Sequence, residues 1–355
     1  MTEVSRNLKF RMPAEWSRHA ATWIAWPHNA EDWPNKFQPI PWVYCEIVRH
    51  LSREEDVHIL VNDAAAERRA TQMLRRQGAN LARLHFHLWR TDRVWLRDSG
   101  PIFVRDNEGR VGLTDWRFNA WAKYENWHHD DLIPQHVAEL YAMPRFAPVV
   151  TGTDGVEHRL VLEGGSIDTN GGGVLLTTEE CLLSDVQQRN PGVSREQLER
   201  AFREYLGIEQ TIWLHRGCAG DDTHGHVDDV TRFVGANTIL TAVEPNTADE
   251  NHLPLAENLQ RLREARNLRG EAFEVKTLPM PAPVVFEGQR LPASYANFYI
   301  ANGLVLVPTF NDPNDRIALN TLAECFPDRA VTGIHCTDFI WGLGALHCMT
   351  QQEPA

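Results

Sequence analysis

A thiol, an imidazole and three carboxylates stand in a regular rhythm along this chain. Asp98, Glu163 and Asp228 follow one another at intervals of 65 positions, and His226 lies two residues before Asp228. The next interval, of 69 positions, reaches Asn297, and Cys348 stands 51 beyond it. A thiolate is a good nucleophile, and a histidine can give and take the protons that nucleophilic displacement requires. Three acids around a thiol raise its pKa and work against the thiolate, unless a cation enters and offsets them. A guanidinium is such a cation: planar, permanently charged, with five N–H donors that match carboxylates held in bidentate geometry. Asp98 and Asp228 then grip it from two sides, and Cys348 attacks its central carbon. His226 protonates the departing ammonia and later activates water, while Glu163 orients the imidazole and keeps it protonated. This chemistry calls for no metal and no organic cofactor.

Taken singly, each residue has a plainer reading. Cys348 is one of six thiols, and buried apolar packing is the common fate of a cysteine. Asp98 precedes Ser99-Gly100-Pro101 as turn aspartates do, Glu163-Gly164-Gly165 reads as a bulge with a solvent-facing acid, and His226 reads as a core histidine. Two other chemistries use the same letters. His215, Cys218, Asp222, His224 and His226 form a candidate zinc cluster, although their spacing matches no common ligand pattern. Cys348 with His226 forms a candidate protease-type dyad, which leaves the carboxylates without a task.

The shared phase of these residues comes from the elements that must position them. Four strand–turn–strand patterns recur: 102–106 with 111–116, 162–168 with 174–178, 230–234 with 238–243, and 297–301 with 304–310. The last turns at Asn302-Gly303, the strongest short hairpin signal. Helical spacing lies between them at 194–206, with Ser194 as N-cap and Gly207 as stop, at 251–267 and at 315–326. Ahead of the first hairpin the chain reads as strand 22–27, helix 41–51, strand 57–61, helix 64–77 and strand 84–88. A repeat of about 50–70 residues suggests units that cannot bury an apolar face alone but can around a common axis. Residues in equal phase then converge at one end of that axis. His226 and Asp228, two apart, are expected on one face of a strand.

The chain has 355 residues, long for one core, so two domains are the default unless a repeated α/β architecture holds it together. Its 43% hydrophobic and 23% charged residues are ordinary for a globular protein. A net charge of −13 argues against nucleic acid as a partner and suits a small cation. The six cysteines show no disulfide framework or CxxC pair. Residues 1–6 lack the apolar core of a signal segment, and no run is long enough to span a bilayer. A cytoplasmic protein with free thiols and no membrane partner is expected.

Several motifs carry a resemblance. Trp95-Leu96-Arg97-Asp98-Ser99-Gly100-Pro101, Asp115-Trp116-Arg117-Phe118-Asn119-Ala120-Trp121, Glu163-Gly164-Gly165-Ser166, Gly225-His226-Val227-Asp228 and His347-Cys348-Met349-Thr350-Gln351-Gln352 resemble those of the agmatine deiminases. These form part of the peptidyl-arginine-deiminase-like branch of the guanidino-group-modifying superfamily. The opening Met12-Pro13-Ala14-Glu15-Trp16 and Thr22-Trp23-Ile24-Ala25-Trp26-Pro27 are similar too. The resemblance covers nearly the whole chain. It implies a single-domain pentein over residues 1–355, a five-bladed α/β propeller of ββαβ-type units with pseudo-fivefold symmetry. It implies hydrolysis of agmatine to N-carbamoylputrescine and ammonia, in polyamine synthesis. It implies Cys348 as nucleophile, His226 as acid/base, Glu163 as its partner, and Asp98 and Asp228 as guanidinium ligands. Trp95 packs on the substrate's aliphatic part, Asp222 lies near the site, and a homodimer is a further implication. The chain departs from the family's habit at Leu343 and Ala345 in the run before Cys348, and at Arg117, where glycine is frequent. These changes bear on which guanidine fits. Deimination of peptidyl-arginine, free arginine or another guanidine stays open, as does an inactive module that captures guanidinium or polyamine cations.

Overall fold

Among the described residues one strand-pairing pattern occurs five times. The computed structural model describes residues 10–151 and 155–355; residues 1–6, read above for a signal segment, lie outside the described residues. In four sheets a strand pairs antiparallel with the next, which then pairs parallel with a third. The first is Ile102–Arg105, Val111–Thr114 and Arg145–Phe146. The second is Asp168–Thr169, Val174–Thr178 and Gln210–Leu214. The third is Thr231–Gly235, Thr238–Val243 and Glu274–Pro279. The fourth is Tyr299–Ile300, Leu304–Thr309 and Ala330–His335. Helices carry the parallel crossovers: Ile133–Tyr141, Arg195–Leu206, His252–Glu264 and Asn314–Cys325. The fifth sheet is assembled from both ends of the chain. Gln351–Pro354 pairs antiparallel with His19–Ala25, which continues in parallel to Asp56–Leu60 and Leu84–His87 over helices Ile40–Glu54 and Ala64–Arg76.

Local chemistry explains most boundaries. Arg195–Leu206 starts in a capping box between Ser194 and Gln197, buries Leu198, Ala201, Phe202 and Leu206 on one face, and ends at Gly207. Leu304–Thr309 is apolar at nearly every position because the fold covers both of its faces. The expected strand over 162–168 departs most from this. Only Asp168–Thr169 pairs, and Gly164–Ser166 forms a 3-10 turn instead. A straight strand there would carry Glu163 past the site that the turn bends it into. Among the described residues no helix is long and apolar enough to cross a membrane.

A buried guanidinium ties the units together. Arg232, on Thr231–Gly235, is fully buried. It donates to Glu15 Oε2 at 2.6 Å, to the Phe298 carbonyl at 2.8 Å and to Asp168. One side chain thus joins the N-terminal segment to the second, third and fourth sheets. Removing one partner of a buried ion pair leaves the others uncompensated, at about 3–5 kcal/mol. Arg232→Met is therefore expected to lower unfolding stability by about that amount, read from the urea midpoint at unchanged slope. A midpoint within experimental scatter of the unmodified chain would contradict this role.

Candidate active site

Each candidate residue rides on a tight turn just ahead of the first strand of its unit. Asp98 lies in the single-turn helix Leu96–Ser99, before Ile102–Arg105. Glu163 leads the turn Gly164–Ser166, before Asp168–Thr169. His226 leads the turn Val227–Asp229, which carries Asp228, before Thr231–Gly235. Asn297 comes just before Tyr299–Ile300, and Cys348 just before Gln351–Pro354. The expected strand phase of His226 and Asp228 is corrected here: a 3-10 turn, not a pleat, turns both side chains inward. The anticipated convergence does occur, because every turn opens toward the same point.

At that point the groups are buried and close. The imidazole of His226 sits between acids: Nε2 is 3.5 Å from Glu163 Oε2, and Nδ1 is 3.8 Å from Asp98 Oδ1 and 4.0 Å from Asp228 Oδ1. Cys348 Sγ accepts from Asn297 Nδ2 at 3.1 Å and lies 3.9 Å from Asp228 Oδ2. Gly165 makes room for this convergence. A Cβ at that residue would fall 2.6 Å from His226 Nδ1 and 2.8 Å from Asp98 Oδ1, so no side chain fits. Its N–H donates to Asp98 Oδ1 at 3.0 Å. At Gly344 a Cβ would meet the Trp95 ring at 2.7 Å, which lets the tail pass directly over that indole.

Burial and like charges set the protonation states. Burial pushes the Asp98 carboxyl up to about 6; His226 counters it, while Asp228 and Glu163 add to it. Burial alone would raise Glu163, but Arg189, at 3.1 Å, and then His226 bring it down to about 2. For His226, burial works against the imidazolium, yet Asp98, Cys181 and Glu163 outweigh it and hold its pKa well above the usual value. The Cys348 thiol is pushed far up by burial, then by Asp228, Asp229 and Asp98.

A cavity of about 430 Å³ opens onto this cluster. Cys348, Asp98, Trp95 and Trp121 line its depth, and Asp222, Glu31, Asp32, Glu125, Arg93 and Leu343 stand around it. Trp95 packs against Trp33 and Phe339 with ring centroids 5.5 and 6.2 Å away. Asp222 is at the rim, accepting from the Tyr124 hydroxyl at 2.7 Å and from Lys123. Leu343 takes a left-handed backbone, φ 65°, at a place where a β-carbon is disfavoured. Arg117 lines a separate cavity with Arg159 and Arg189. Potential metal-ligand atoms cluster, among the described residues, at Glu163, Cys181 and His226 and at Asp228, Asp229 and Cys348. His215, Cys218, Asp222 and His224 do not gather with them.

Sequence reasoning missed several groups that shape the site. Asn297 also accepts the His347 N–H at 2.9 Å and donates to Asp229 at 2.9 Å; its place in the rhythm was the available signal. His347 bridges Asp228 Oδ2 at 2.7 Å and Glu15 Oε2 at 2.8 Å. Arg97 donates to the His347 carbonyl at 3.3 Å and to Gln352 Oε1 at 2.7 Å, and so fastens the tail. Trp121 donates its indole N–H to Asp98 Oδ2 at 2.9 Å. It does so from three successive left-handed residues, Ala120, Trp121 and Ala122, with φ of 49°, 59° and 53°. Each such residue costs about 1–2 kcal/mol, and nothing in the letters foretells it.

The chain has known relatives over its full length. The chain is 35% identical to the agmatine deiminase of Pseudomonas aeruginosa strain LESB58, over 100% of this chain and 98% of that one. It superposes on the agmatine deiminase of Enterococcus faecalis with a TM-score of 0.87 at 30% identity, covering 98% of this chain and 96% of the other. An amidinotransferase of the saxitoxin pathway from Microseira wollei, at 11% identity, superposes with a TM-score of 0.51 over 97% of this chain and 96% of that one, a likeness of α/β fold alone. Residues 11–354 match the Porphyromonas-type peptidyl-arginine deiminase family, and the chain belongs to that family.

Proposed function

We propose that the chain hydrolyses agmatine to N-carbamoylputrescine and ammonia through a covalent intermediate on Cys348. The observation that carries this reading is the thiol at the cavity floor beside two buried carboxylates, with a buried imidazole behind them. Asp228 Oδ1 and His226 Nδ1 are buried and make no hydrogen bond to the described residues, so they stay available to a reacting group, while Nε2 faces Glu163. The guanidinium docks on Asp98 and Asp228, and its charge offsets the acids that hold the thiol protonated. The thiol then gives its proton to solvent, the thiolate adds to the guanidinium carbon, and the tetrahedral centre expels one nitrogen as ammonia with a proton from His226. Water then adds to the S-alkylthiouronium and gives its proton to His226. The carbon–sulfur bond breaks as the remaining hydroxyl proton passes to the departing sulfur, returning the thiol and leaving the urea oxygen on the product. Glu163, itself paired with Arg189, keeps the imidazole charged and in place. Trp95 flanks the alkyl chain.

The cavity favours a distal cation over an α-carboxylate. Arg97 is only 2% exposed and is committed to the tail. Lys123 is paired with Asp222, and Arg93 with Asp32 at 2.6 Å and Asn126 at 3.1 Å. Of these three, only Arg93 lines that cavity, and no further cation does so among the described residues, whereas Glu31 and Glu125 add to its negative side. The five like-patterned sheets, with the last closed by the C-terminal strand, support a single five-bladed pentein domain with the site at its axis.

Ammonia release from agmatine, arginine and a blocked arginyl peptide, assayed side by side, tests the assignment. Agmatine is expected to have the highest kcat/KM; no turnover of any of the three would refute the enzymatic reading. Cys348→Ser is expected to lower kcat by about 10³-fold or more, measured by single-turnover ammonia release; near-normal rates would refute the nucleophile. Asp98→Ala is expected to weaken agmatine by about 1.5–3 kcal/mol in calorimetry, because a charge-assisted pair is lost. The pH dependence follows from Asp98. Its folded pKa of about 6 leaves it neutral, and the grip lost, as pH falls through that value, so kcat/KM drops on the acid side there. A flat profile between pH 5 and 7 would contradict this.

A further inference from the structure

We propose that Trp121 is a positioning residue for guanidinium capture, fixing the carboxylate plane of Asp98 from a strained left-handed turn. The inference rests on the reaction proposed above. Asp98 receives one fixed donor on each oxygen: the Gly165 N–H on Oδ1 at 3.0 Å and the Trp121 indole N–H on Oδ2 at 2.9 Å. A carboxylate oxygen has room for two acceptor contacts. Each therefore keeps one lone pair, in a fixed direction, for a paired guanidinium N–H.

The turn that delivers the indole is over-determined. Asn119 Oδ1 accepts the Ala122 N–H at 2.9 Å, and Gln187 donates to the Trp121 carbonyl at 3.1 Å. Phe118 meets the indole edge-on, with centroids 5.3 Å apart. At the rim, Lys123 and Tyr124 both bind Asp222. Backbone strain persists only where the surroundings enforce it, and it concentrates at working sites. Here the indole is 5% exposed and lines the cavity with Asp98 and Cys348, so what the strain holds in place is a donor on the carboxylate that faces the substrate.

The charges around Asp98 give this donor a second effect. His226 at 3.8 Å favours the carboxylate, while Asp228 and Glu163 oppose it, and the Cys348 thiol faces it across the cavity. An indole can only donate, so its bond favours the ionised form.

Steady-state kinetics of Trp121→Phe with agmatine, from pH 5 to 9, read the role directly. KM is expected to rise about tenfold with kcat changed far less, and the acid limb of kcat/KM to move to higher pH. A purely structural tryptophan would change thermal stability and leave that limb where it is. If the phenylalanine variant does not fold, benzothienylalanine at residue 121 keeps the ring's shape and removes only the N–H, and the same shifts are expected. Unchanged KM and acid limb in a folded, active variant would overturn the positioning role alone. Absence of agmatine turnover by the unmodified chain would overturn the reaction, and this inference with it.

Discussion

The structure depends on a buried carboxylate at Glu15. It receives Arg232 Nη2 at 2.6 Å, His347 Nε2 at 2.8 Å and the Ile300 N–H at 2.8 Å, with Arg97 at 3.8 Å. Burial alone would raise its pKa, but Arg232, His347 and Arg97 hold it well below the usual range. Taking so many charges out of water costs several kcal/mol each and is tolerated only when all of them are paired. The network therefore behaves as a unit. It joins the N-terminal segment to the third sheet through Arg232, to the fourth through Ile300, and to the tail through His347. The same His347 then bonds Asp228 at 2.7 Å, so the scaffold's charge network ends on a carboxylate 3.9 Å from the Cys348 sulfur.

This arrangement sets the electrostatics of the proposed reaction. Four buried acids, Asp98, Glu163, Asp228 and Asp229, surround the Cys348 thiol and the His226 imidazole. In the free site they protonate Cys348 and charge His226. That is the right state for the imidazole, which must deliver a proton, and the wrong one for the thiol. A guanidinium bound between Asp98 and Asp228 reverses the effect on the thiol, while Glu163, on the other side of the ring, goes on favouring the imidazolium. Activation of the nucleophile is then coupled to arrival of a cation of the right shape. The acidic rim at Glu31, Glu125 and Asp222 extends the same preference to the other end of the substrate.

Much of this was legible in the letters, for a physical reason. A ββαβ-type unit has to repeat its hairpin and its helix to bury a common core, so the hydrophobic rhythm exposes the repeat and the repeat exposes the phase of Asp98, Glu163, Asp228 and Cys348. Where the reading went astray, a close approach had replaced a regular element. Gly164–Ser166 turns because Gly165 must clear His226 and Asp98, and His226 leaves the strand for the same convergence. The partners that hold the site were harder to see. Glu15 and His347 are 332 residues apart, and Arg97 and Gln352 are 255 apart. Arg232 looks like any surface arginine until the fold encloses it. The left-handed turn at Ala120–Ala122 contains no glycine or asparagine to announce it.

The central claim is that Cys348 itself carries the carbon under attack. Acid quenching of a single turnover of agmatine, followed by peptide mass mapping, tests it most directly. The account predicts a transient amidino-type adduct on the peptide containing Cys348, absent from those containing Cys45, Cys181, Cys218, Cys325 and Cys336. Product formed with no adduct on Cys348 at any time point, or an adduct on another of these thiols, would contradict it.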